Sequence, residues 1–598
     1  MRGGRVIILI ATTVALTSSR RGDHRGPADQ GGPPSERRMH RSAHPRGGPR
    51  LSNAPTHAPH AAVLTGVGYA WPDGTAVFDR LDAVFEAGRT GLIGRNGSGK
   101  STLLKLVSGE LRPESGAVSA PERTGLLDQS LPLDTGRTVA ELLGIAPALA
   151  GLRAIEAGDA SEANFTAVGD DWDIEERALA QLARFGIALD GPDPLGRTVG
   201  TLSGGEAVLA GIAGLVLRRP ALTLLDEPTN NLDRRARGLL YEAVDAWPGA
   251  LVVVSHDREL LDRMDRTAEL RGGRIRMWGG NHTHYTERLA EEQEAARRAV
   301  RVAEAGVRKE KRQLAEARIK LDRRVRYGNK MYATKREPKV VMKQRKRDAQ
   351  VAAGKHRIMQ EARLDGAREE LTAAEDAVRD DDAIRIALPG TEVPAGQDVL
   401  VLAAGERRLH LRGPERIALT GGNGAGKTTL LRAVVAAARG EEPPVRPAGT
   451  EVARVTARVG YLPQRLDLLD DRLSVLENVR AAAPSAAPQA IRAGLARFLI
   501  RGDRADLPAG ALSGGERFRV ALARVLLADT APRLLILDEP TNDLDLDSAA
   551  RLTEALSAYR GALLVASHDE AFLRDIGTTR RWRARRGLPP EDSAPGTG

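Results

Sequence analysis

The chain has 598 residues, 41% of them hydrophobic and 28% charged, and it carries a formal net charge of +10. That length can supply the cores of two full domains and leave additional elements. No run of about 20 apolar residues occurs, so any membrane domain would have to be a separate chain. The absence of cysteine excludes disulfides and cysteine-ligated metal sites, and it fits a cytoplasmic protein.

Residues 1–60 are rich in Arg, Gly, Pro and His and show neither a helical nor a strand period, which predicts a disordered N-terminal extension. Its first 17 residues superficially resemble a signal peptide, but no clear cleavage site follows them. A translation start at Met39 or a later codon is the alternative explanation of this segment.

Residues 61–282 form the first predicted domain, in which two strands lead into the sequence GRNGSGKS at 94–101. This sequence fits the P-loop pattern, whose glycines let backbone N–H groups surround phosphates and whose lysine and hydroxyl serve phosphate and Mg²⁺. Three motifs follow it in order: LSGGE at 202–206, DEPTN at 226–230 and SHD at 255–257.

Residues 283–383 have a different texture, with a seven-residue apolar recurrence among dense Glu and Arg. We expect an antiparallel helical hairpin with arms of about 40 residues, roughly 60 Å long, interrupted at 327–329 and at Pro338. Residues 321–350 contain eleven Lys or Arg and three acids, and nine of the twelve lysines lie between 309 and 355. This density favours nucleic-acid phosphate as the partner over a merely solvated helical face.

The second predicted domain, residues 384–587, repeats the motifs of the first in the same order, with GGNGAGKT at 421–428, LSGGE at 512–516, DEPTN at 538–542 and SHD at 567–569. The first domain is longer by about 25 residues, which predicts an insertion within 140–173. Residues 588–598 are expected to be a disordered tail.

Two complete motif sets predict an α/β fold, with two P-loop ATP-binding-cassette domains joined by a long antiparallel α-helical hairpin. The two carboxylates that begin each DEPTN motif, directly after an apolar run, predict an ATP hydrolase, in which Asp226 and Asp538 hold Mg²⁺ through water. Glu227 and Glu539 would then orient and polarise the attacking water.

Two such domains, no membrane span and a basic hairpin between them resemble the ABC-F proteins over roughly residues 61–587. Residues 278–282 (WGGNH), followed by Tyr285, are similar to that family's entry into its linker. The resemblance implies binding to the ribosome, with the basic linker contacting rRNA and tRNA near the peptidyl-transferase centre. It implies a monomer with intramolecular cassette pairing, acting as a translation factor or dislodging antibiotics.

The cassette resemblance also implies roles for single residues and two ATP sites, each completed by the LSGGE signature of the opposite cassette. The expected catalytic residues are Gln129, Glu227, His256, Gln464, Glu539 and His568. The expected Mg²⁺ ligands are Ser101, Gln129, Asp226, Thr428, Gln464 and Asp538. The residues expected to bind ATP are Trp71, Gly94, Asn96, Gly97, Gly99, Lys100, Ser101, Thr102, Ser203, Gly204, Gly205, Gly421, Asn423, Gly424, Gly426, Lys427, Thr428, Thr429, Ser513, Gly514 and Gly515.

Two alternatives stay open at this point. One is the ATP-binding subunit of a transporter that acts with a separate membrane chain, and the other is a DNA-acting ATPase of the repair type. A transporter subunit would have no evident use for the basic hairpin. The absence of cysteine argues against the zinc-bearing versions of the repair ATPases.

Overall fold

A computed structural model describes residues 60–129, 135–230, 232–333, 339–378, 390–464, 466–542 and 544–593. The predicted disorder of the N-terminal extension therefore falls outside the described residues, apart from residue 60. The predicted boundary between linker and second cassette, at 383/384, also falls outside them.

The first cassette combines a mainly parallel sheet with a smaller antiparallel sheet and a helical region. Its elements in chain order are β1 (His60–Ala70), β2 (Ala76–Glu86), β3 (Arg89–Gly94), α1 (Lys100–Ser108), β4 (Ser115–Ser119), β5 (Thr124–Leu127), α2 (Val139–Leu143), α3 (Ala146–Glu156), α4 (Glu162–Val168), α5 (Ile174–Arg184), α6 (Gly204–Arg218), β6 (Leu222–Asp226), α7 (Arg234–Asp245), β7 (Ala250–Val254), α8 (Arg258–Leu261), β8 (Arg266–Arg271) and β9 (Arg274–Gly279).

The sheet order of the first cassette places the motifs together. The larger sheet runs β5-β6-β7-β3-β8-β9, in which β5, β6, β7, β3 and β8 are parallel. Strand β6 has no charged residue before its last one, Asp226, and strand β7 is entirely apolar. Both strands are fully buried, as expected for strands covered on both faces. Because the carboxyl ends of parallel strands share one edge, the P-loop, the DEPTN motif and the SHD motif meet there.

The insertion predicted from the length difference is confirmed as the helical pair α3 and α4. These helices pack on each other between α2 and α5. The second cassette passes directly from its counterpart of α2 to its counterpart of α5.

The linker forms two long helices, α9 (His282–Ala333) and α10 (Lys339–Ala377), that pack along each other. An exposed ion pair between Arg318 and Glu361, at 3.8 Å, joins the arms, and Val307 of α9 and Leu364 of α10 are both buried. The predicted interruption at 327–329 is wrong, because α9 continues through Gly328. One glycine costs a helix about 1 kcal/mol, which a long packed helix tolerates.

The first arm is consequently longer than expected. Helix α9 has 52 residues and spans about 80 Å, whereas α10 has the predicted length with 39 residues. Pro338, the other predicted break, lies outside the described residues between the two helices. Within the described ranges, no helix has an apolar stretch long enough to cross a bilayer.

The second cassette repeats the architecture of the first. Its elements are β10 (Asp398–Ala404), β11 (Arg407–Arg412), β12 (Arg416–Thr420), α11 (Lys427–Arg439), β13 (Thr450–Val455), β14 (Val459–Leu462), α12 (Val475–Arg480), α13 (Pro488–Arg497), α14 (Gly514–Leu526), β15 (Leu534–Asp538), α15 (Leu546–Ser557), β16 (Ala562–Ala566), α16 (Glu570–Asp575), β17 (Arg580–Arg585) and β18 (Leu588–Ser593). Its larger sheet runs β14-β15-β16-β12-β17-β18.

The predicted disordered tail needs a correction at its start. Residues 588–593 form the edge strand β18, which pairs antiparallel with β17, so that Trp582 lies opposite Asp592. An ion pair between Arg585 and Glu591, at 3.6 Å, adds a cross-strand contact. The two prolines at 589–590 obscured the strand in the sequence, but an edge strand tolerates proline because one side of its backbone is unpaired. Residues 594–598 lie outside the described residues.

The root of the hairpin packs between the cassettes. Trp278 and Tyr285 meet edge to face with ring centroids 5.2 Å apart. They share a buried cluster with Ile93 on the P-loop strand β3, and Leu546 at the start of α15 packs against that cluster. The hairpin root is therefore in contact with both the first P-loop strand and the second cassette.

Candidate nucleotide sites

The first P-loop adopts the conformation that its glycines allow. Gly99 has φ +99° and caps helix α1, and a Cβ at this position would lie 2.6 Å from a side-chain carbon of Val77. Lys100, which begins the helix, is 7% exposed, and its Nζ donates to the carbonyl of Gly94 at 2.8 Å. Backbone amides of the loop and the first turn of α1 thus form an anion-binding cradle with one lysine beside it.

Acidic residues end the buried strand next to this loop. Asp226 is 4% exposed, and Glu227 follows it with φ +49°, in the left-handed region that residues with a Cβ adopt rarely. The N–H of Glu227 donates to the carbonyl of Val254 at 2.9 Å, which fixes this turn against the end of β7. Its carboxylate Oε1 lies 3.1 Å from Nε2 of His256.

Burial controls the protonation of these groups. It raises the pKa of Glu227 to about 8, against the lowering effect of Lys100, and it lowers the pKa of His256 to about 3. Burial also lowers the pKa of Lys100. At neutral pH the imidazole of His256 is therefore neutral, and it can accept or donate one hydrogen bond beside the glutamate.

The second site repeats this arrangement, and its P-loop lysine lies beside both the histidine and the glutamate. The Nζ of Lys427 lies 2.7 Å from Nε2 of His568 and 3.6 Å from Oε1 of Glu539. Glu539 has φ +46°, and its N–H donates to the carbonyl of Ala566 at 2.8 Å. Burial, followed by the charge of Lys427, lowers the pKa of His568 to about 4, and burial raises the pKa of Glu539.

The donor atoms beside each P-loop fit Mg²⁺. One oxygen of Asp226 and one of Asp538 are buried without a hydrogen-bond partner, and the hydroxyls of Ser101 and Thr428 hydrogen-bond to these carboxylates. Hard oxygen donors of this kind are the ligands that Mg²⁺ prefers. No group of three or more His, Cys, Asp or Glu is placed to hold a metal in the described part of the chain. Phosphate and water would therefore complete the coordination.

A cavity of about 550 Å³ lies over the first P-loop and brings most predicted site residues together. Its predicted residues from the first cassette are Trp71, Asn96, Gly97, Gly99, Lys100, Ser101, Thr102, Gln129, Asp226, Glu227 and His256. The signature of the opposite cassette reaches it through Gly514, whereas Ser513 and Gly515 are not among the described lining residues. Trp71 is 39% exposed and stacks edge to face on Tyr69.

A cavity of about 380 Å³ covers the second P-loop. Its predicted residues are Asn423, Gly424, Gly426, Lys427, Thr428, Thr429, Gln464, Glu539 and His568. Of the described residues that line it, none belongs to the first signature at 203–205, and none is Trp, Tyr or Phe. The two sites thus differ in their contact with the opposite signature and in the aromatic residue beside the P-loop.

Each signature serine begins a helix. The Oγ of Ser203 accepts from the N–H of Glu206 at 3.3 Å, and the glutamate carboxylate accepts from the serine N–H at 2.8 Å. In the second cassette the carboxylate of Glu516 accepts from the N–H and the hydroxyl of Ser513. This capping box leaves the positive end of α6 or α14 at the signature.

Sequence reasoning missed the aspartates that join the cassettes. The carboxylate of Asp545, which caps α15, accepts from the N–H of Asn96 in the opposite P-loop at 2.9 Å. Asp233, which caps α7, accepts from the N–H of Asn423 at 3.4 Å. Both aspartates stand three residues after a DEPTN motif, and this shared position was the available signal.

Comparison with known proteins assigns the chain to a family. The family described as "ABC transporter" matches residues 81–230 and 406–542. The tylosin resistance ATP-binding protein TlrC of Streptomyces fradiae, an ABC-F protein, is 35% identical in an alignment of 541 positions that covers 85% of this chain and 94% of TlrC. The chain belongs to the ABC-F family. It is a tandem ATP-binding-cassette ATPase, as its motifs predicted.

Other relatives of this ABC-F protein agree. The ATP-binding protein Uup of Escherichia coli (strain K12) is 30% identical in an alignment of 525 positions that covers 83% of this chain and 75% of Uup. Among solved structures, the RNase-L Inhibitor matches with a TM-score of 0.52 and 18% identity, over 89% of this chain and 90% of that one. This last likeness shows a shared fold, namely tandem α/β cassettes.

The raised pKa of Glu227 predicts a pH-dependent stability for this ABC-F protein. Between its ordinary pKa of 4.5 and about 8, the unfolded state has lost the proton that the folded state keeps. Glu227 therefore makes its full contribution to the free energy of unfolding below pH 4.5, and that contribution falls as the pH rises to about 8. Glu227→Gln removes that dependence. Its melting temperature relative to wild type, measured by calorimetry without nucleotide, should therefore rise between pH 5 and pH 8.

The matched control is the same substitution at Glu122, which is exposed. Its melting curve should run parallel to that of the wild type over the whole pH range. Parallel curves for Glu227→Gln and wild type would show that this carboxyl is ionised in the folded protein.

Proposed function

We propose that the protein is an ATP-driven clamp that binds the ribosome in its closed, ATP-bound form and acts near the peptidyl-transferase centre through its hairpin. The observation that carries this proposal is the exposed basic end of the hairpin. Two composite ATP sites drive the clamp. Each combines the P-loop, glutamate and histidine of one cassette with the signature of the other.

Contacts across the cassettes support the composite sites. Gly514 of the second signature lines the cavity of the first P-loop, and each P-loop receives a hydrogen bond acceptor from the opposite cassette. An ion pair between Arg258 and Asp575, at 2.7 Å, adds a further cross-contact. ATP with Mg²⁺ between these surfaces would add contacts to both cassettes, and the loss of the γ-phosphate would remove them.

The hairpin root supports a mechanical link from the first site to the hairpin. Tyr285 and Leu289 of α9 pack with Ile93, which lies just before the P-loop. Leu546 of the opposite cassette packs on the same cluster, next to Asp545, which contacts the P-loop. A shift of α15 relative to the first P-loop therefore displaces residues that hold the hairpin root.

The far end of the hairpin supports RNA as the partner. Arg323, Arg324 and Arg326 are exposed, and Tyr327 beside them is 68% exposed. Arginine and lysine bind phosphates, and an exposed tyrosine can stack on an unpaired base. A distance of about 60–70 Å along α9 separates these side chains from the hairpin root and the ATP sites, and rRNA or tRNA could meet them there. A transporter subunit would have no use for such a projection.

Similarity to TlrC supports antibiotic protection as the physiological role. TlrC is named as a tylosin resistance protein and matches 85% of this chain. We infer that this protein protects the ribosome from an antibiotic that binds near the peptidyl-transferase centre or the exit tunnel. The alternative role is that of a general translation factor, which would bind the ribosome in the same way. In either role the protein would act in the cytoplasm.

The decisive experiment neutralises the described basic side chains at the hairpin end. The tip variant changes six exposed residues to glutamine: Arg323, Arg324, Arg326, Lys330, Lys343 and Arg347. Losing several phosphate contacts should weaken ATP-dependent ribosome binding at least about tenfold at physiological salt and flatten its salt dependence. Cosedimentation with ribosomes across a salt titration measures both quantities, and expression in a tylosin-sensitive host measures protection.

The matched control removes six exposed positive charges nearer the root: Arg297, Arg298, Arg301, Lys309, Lys311 and Arg312. This variant should keep more of the ribosome binding and of the protection than the tip variant. If both variants lost ribosome binding equally, binding would depend on the total positive charge of the hairpin and not on its basic end. Ribosome binding by wild type without any rise in the inhibitory concentration of tylosin would favour the translation factor.

A further inference from the structure

Arg237 occupies a position at which the two cassettes differ. Helices α7 and α15 begin after the capping residues Asp233 and Asp545, and four residues later the chain has Arg237 in one cassette and Ala549 in the other. Ala549 lines the cavity over the first P-loop. Arg237 lines the cavity over the second P-loop and also the first. The cassettes therefore present an arginine to one opposite site and a methyl group to the other.

Contacts within the first cassette hold this arginine in place. Its Nη1 donates to the carboxylate of Asp257 at 3.3 Å, and its Nε donates to the carbonyl of Leu232 at 3.2 Å. The hydroxyl of Tyr241 donates to the same carboxylate oxygen of Asp257 at 2.7 Å. The arginine side chain is only 14% exposed. A guanidinium has five N–H donors on three nitrogens. These contacts fix the side chain, and within the described part of the chain Nη2 has no partner, which leaves it for a ligand.

The charge of Arg237 acts on the second site. Burial lowers the pKa of His568, and the charges of Lys427 and then Arg237 add to that lowering. An arginine remains protonated at any physiological pH. The second site thus has a permanent second cation from the opposite cassette.

We propose that Arg237 is a residue of the second ATP site, where its guanidinium binds phosphate oxygens of the nucleotide held by Lys427. The site then receives a cation in trans that the first site lacks. Because Asp257, its anchor, directly follows His256 of the first site, Arg237 also ties the two sites together. The proposal rests on the composite sites proposed above.

The test separates the two sites by their glutamates. In a Glu227→Gln background only the second site keeps its glutamate, and in a Glu539→Gln background only the first does. Arg237→Ala should lower kcat about tenfold in the former, as expected for one charge-assisted hydrogen bond, and much less in the latter. Arg237→Lys should recover part of the loss, since it restores the charge. Arg235→Ala, an exposed neighbour on the same helix, is the control and should match each background.

Two results would overturn the proposal. If Arg237→Ala lowered kcat equally in both backgrounds, the role of Arg237 would be only to anchor Asp257. The same conclusion would follow if Arg237→Lys did not recover part of the lost kcat. A second measurement applies if either background turns over too slowly to assay. Titration of the wild-type chain with a nonhydrolysable ATP analogue should show two sites, and Arg237→Ala should weaken one of them about tenfold. Weakening of both sites, or of neither, would contradict the proposal.

Failure of this proposal is distinguishable from failure of the composite sites. Substitutions at the signature serines test the composite sites without touching Arg237. If those substitutions act across the cassettes while Arg237→Ala has no effect, only the role of Arg237 is wrong.

Discussion

Replacing Glu227 and Glu539 together with glutamine should give a protein that binds ATP but hydrolyses it about 10²–10⁴ times more slowly than wild type. The side chains of Glu227 and Glu539 are 10% and 9% exposed. Each lies beside a histidine that is neutral at pH 7 and is held by a strained turn against the next strand. Glutamine keeps the size of the side chain but lacks the carboxyl group that would orient and polarise the attacking water. Phosphate contacts come from other groups, chiefly the P-loop amides and lysines, so ATP binding should persist.

Two assays check this result. Phosphate release under saturating Mg-ATP measures hydrolysis, and equilibrium binding of a fluorescent ATP analogue measures nucleotide affinity. The control carries the same substitution at the exposed Glu122 and Glu442, and it should hydrolyse ATP at the wild-type rate. Near-normal phosphate release by the double variant would remove both glutamates from the catalytic assignment.

Local motifs were sufficient to predict the fold class and the residues around each P-loop. The glycine of a P-loop and the carboxylates after a buried strand have their role because of their immediate neighbours in sequence, as Gly99 and Asp226 show. Helical periodicity similarly predicted both arms of the hairpin. It placed the end of the first arm too early, because a single glycine such as Gly328 costs a helix only about 1 kcal/mol, and α9 continues through it.

Contacts between distant elements could not be predicted in this way. The hydrogen bond from Asn96 to Asp545 joins residues 449 positions apart, and it depends on how two domains face each other. The pairing of Arg237 with Asp257 depends on the packing of α7 against β7. The strand at 588–593 is stabilised by its partner β17 rather than by its own sequence, which contains two adjacent prolines.

Crossed substitutions at the signature serines should show that each ATP site uses the signature of the opposite cassette. In the Glu227→Gln background, Ser203→Arg should reduce the remaining ATP hydrolysis about 10²-fold or more, whereas Ser513→Arg should leave most of it. In the Glu539→Gln background the effects should be reversed. The reason is that an arginine at the helix start replaces a hydroxyl donor and fills the space over the γ-phosphate, and loss of one such donor typically costs 10²–10³ in rate.

Each arm of this experiment is the control for the other, since the same substitutions are compared in both backgrounds. The structure already brings Gly514 to the first site, so the Glu539→Gln arm follows from an observed contact. The second site has no first-signature residue among the described residues that line it, so its pairing requires the cassettes to close further around ATP. If Ser203→Arg left hydrolysis unchanged in the Glu227→Gln background, that closure would not occur, and the second site would work without the first signature. Loss caused by Ser513→Arg in that background would instead show that the signature acts within its own cassette.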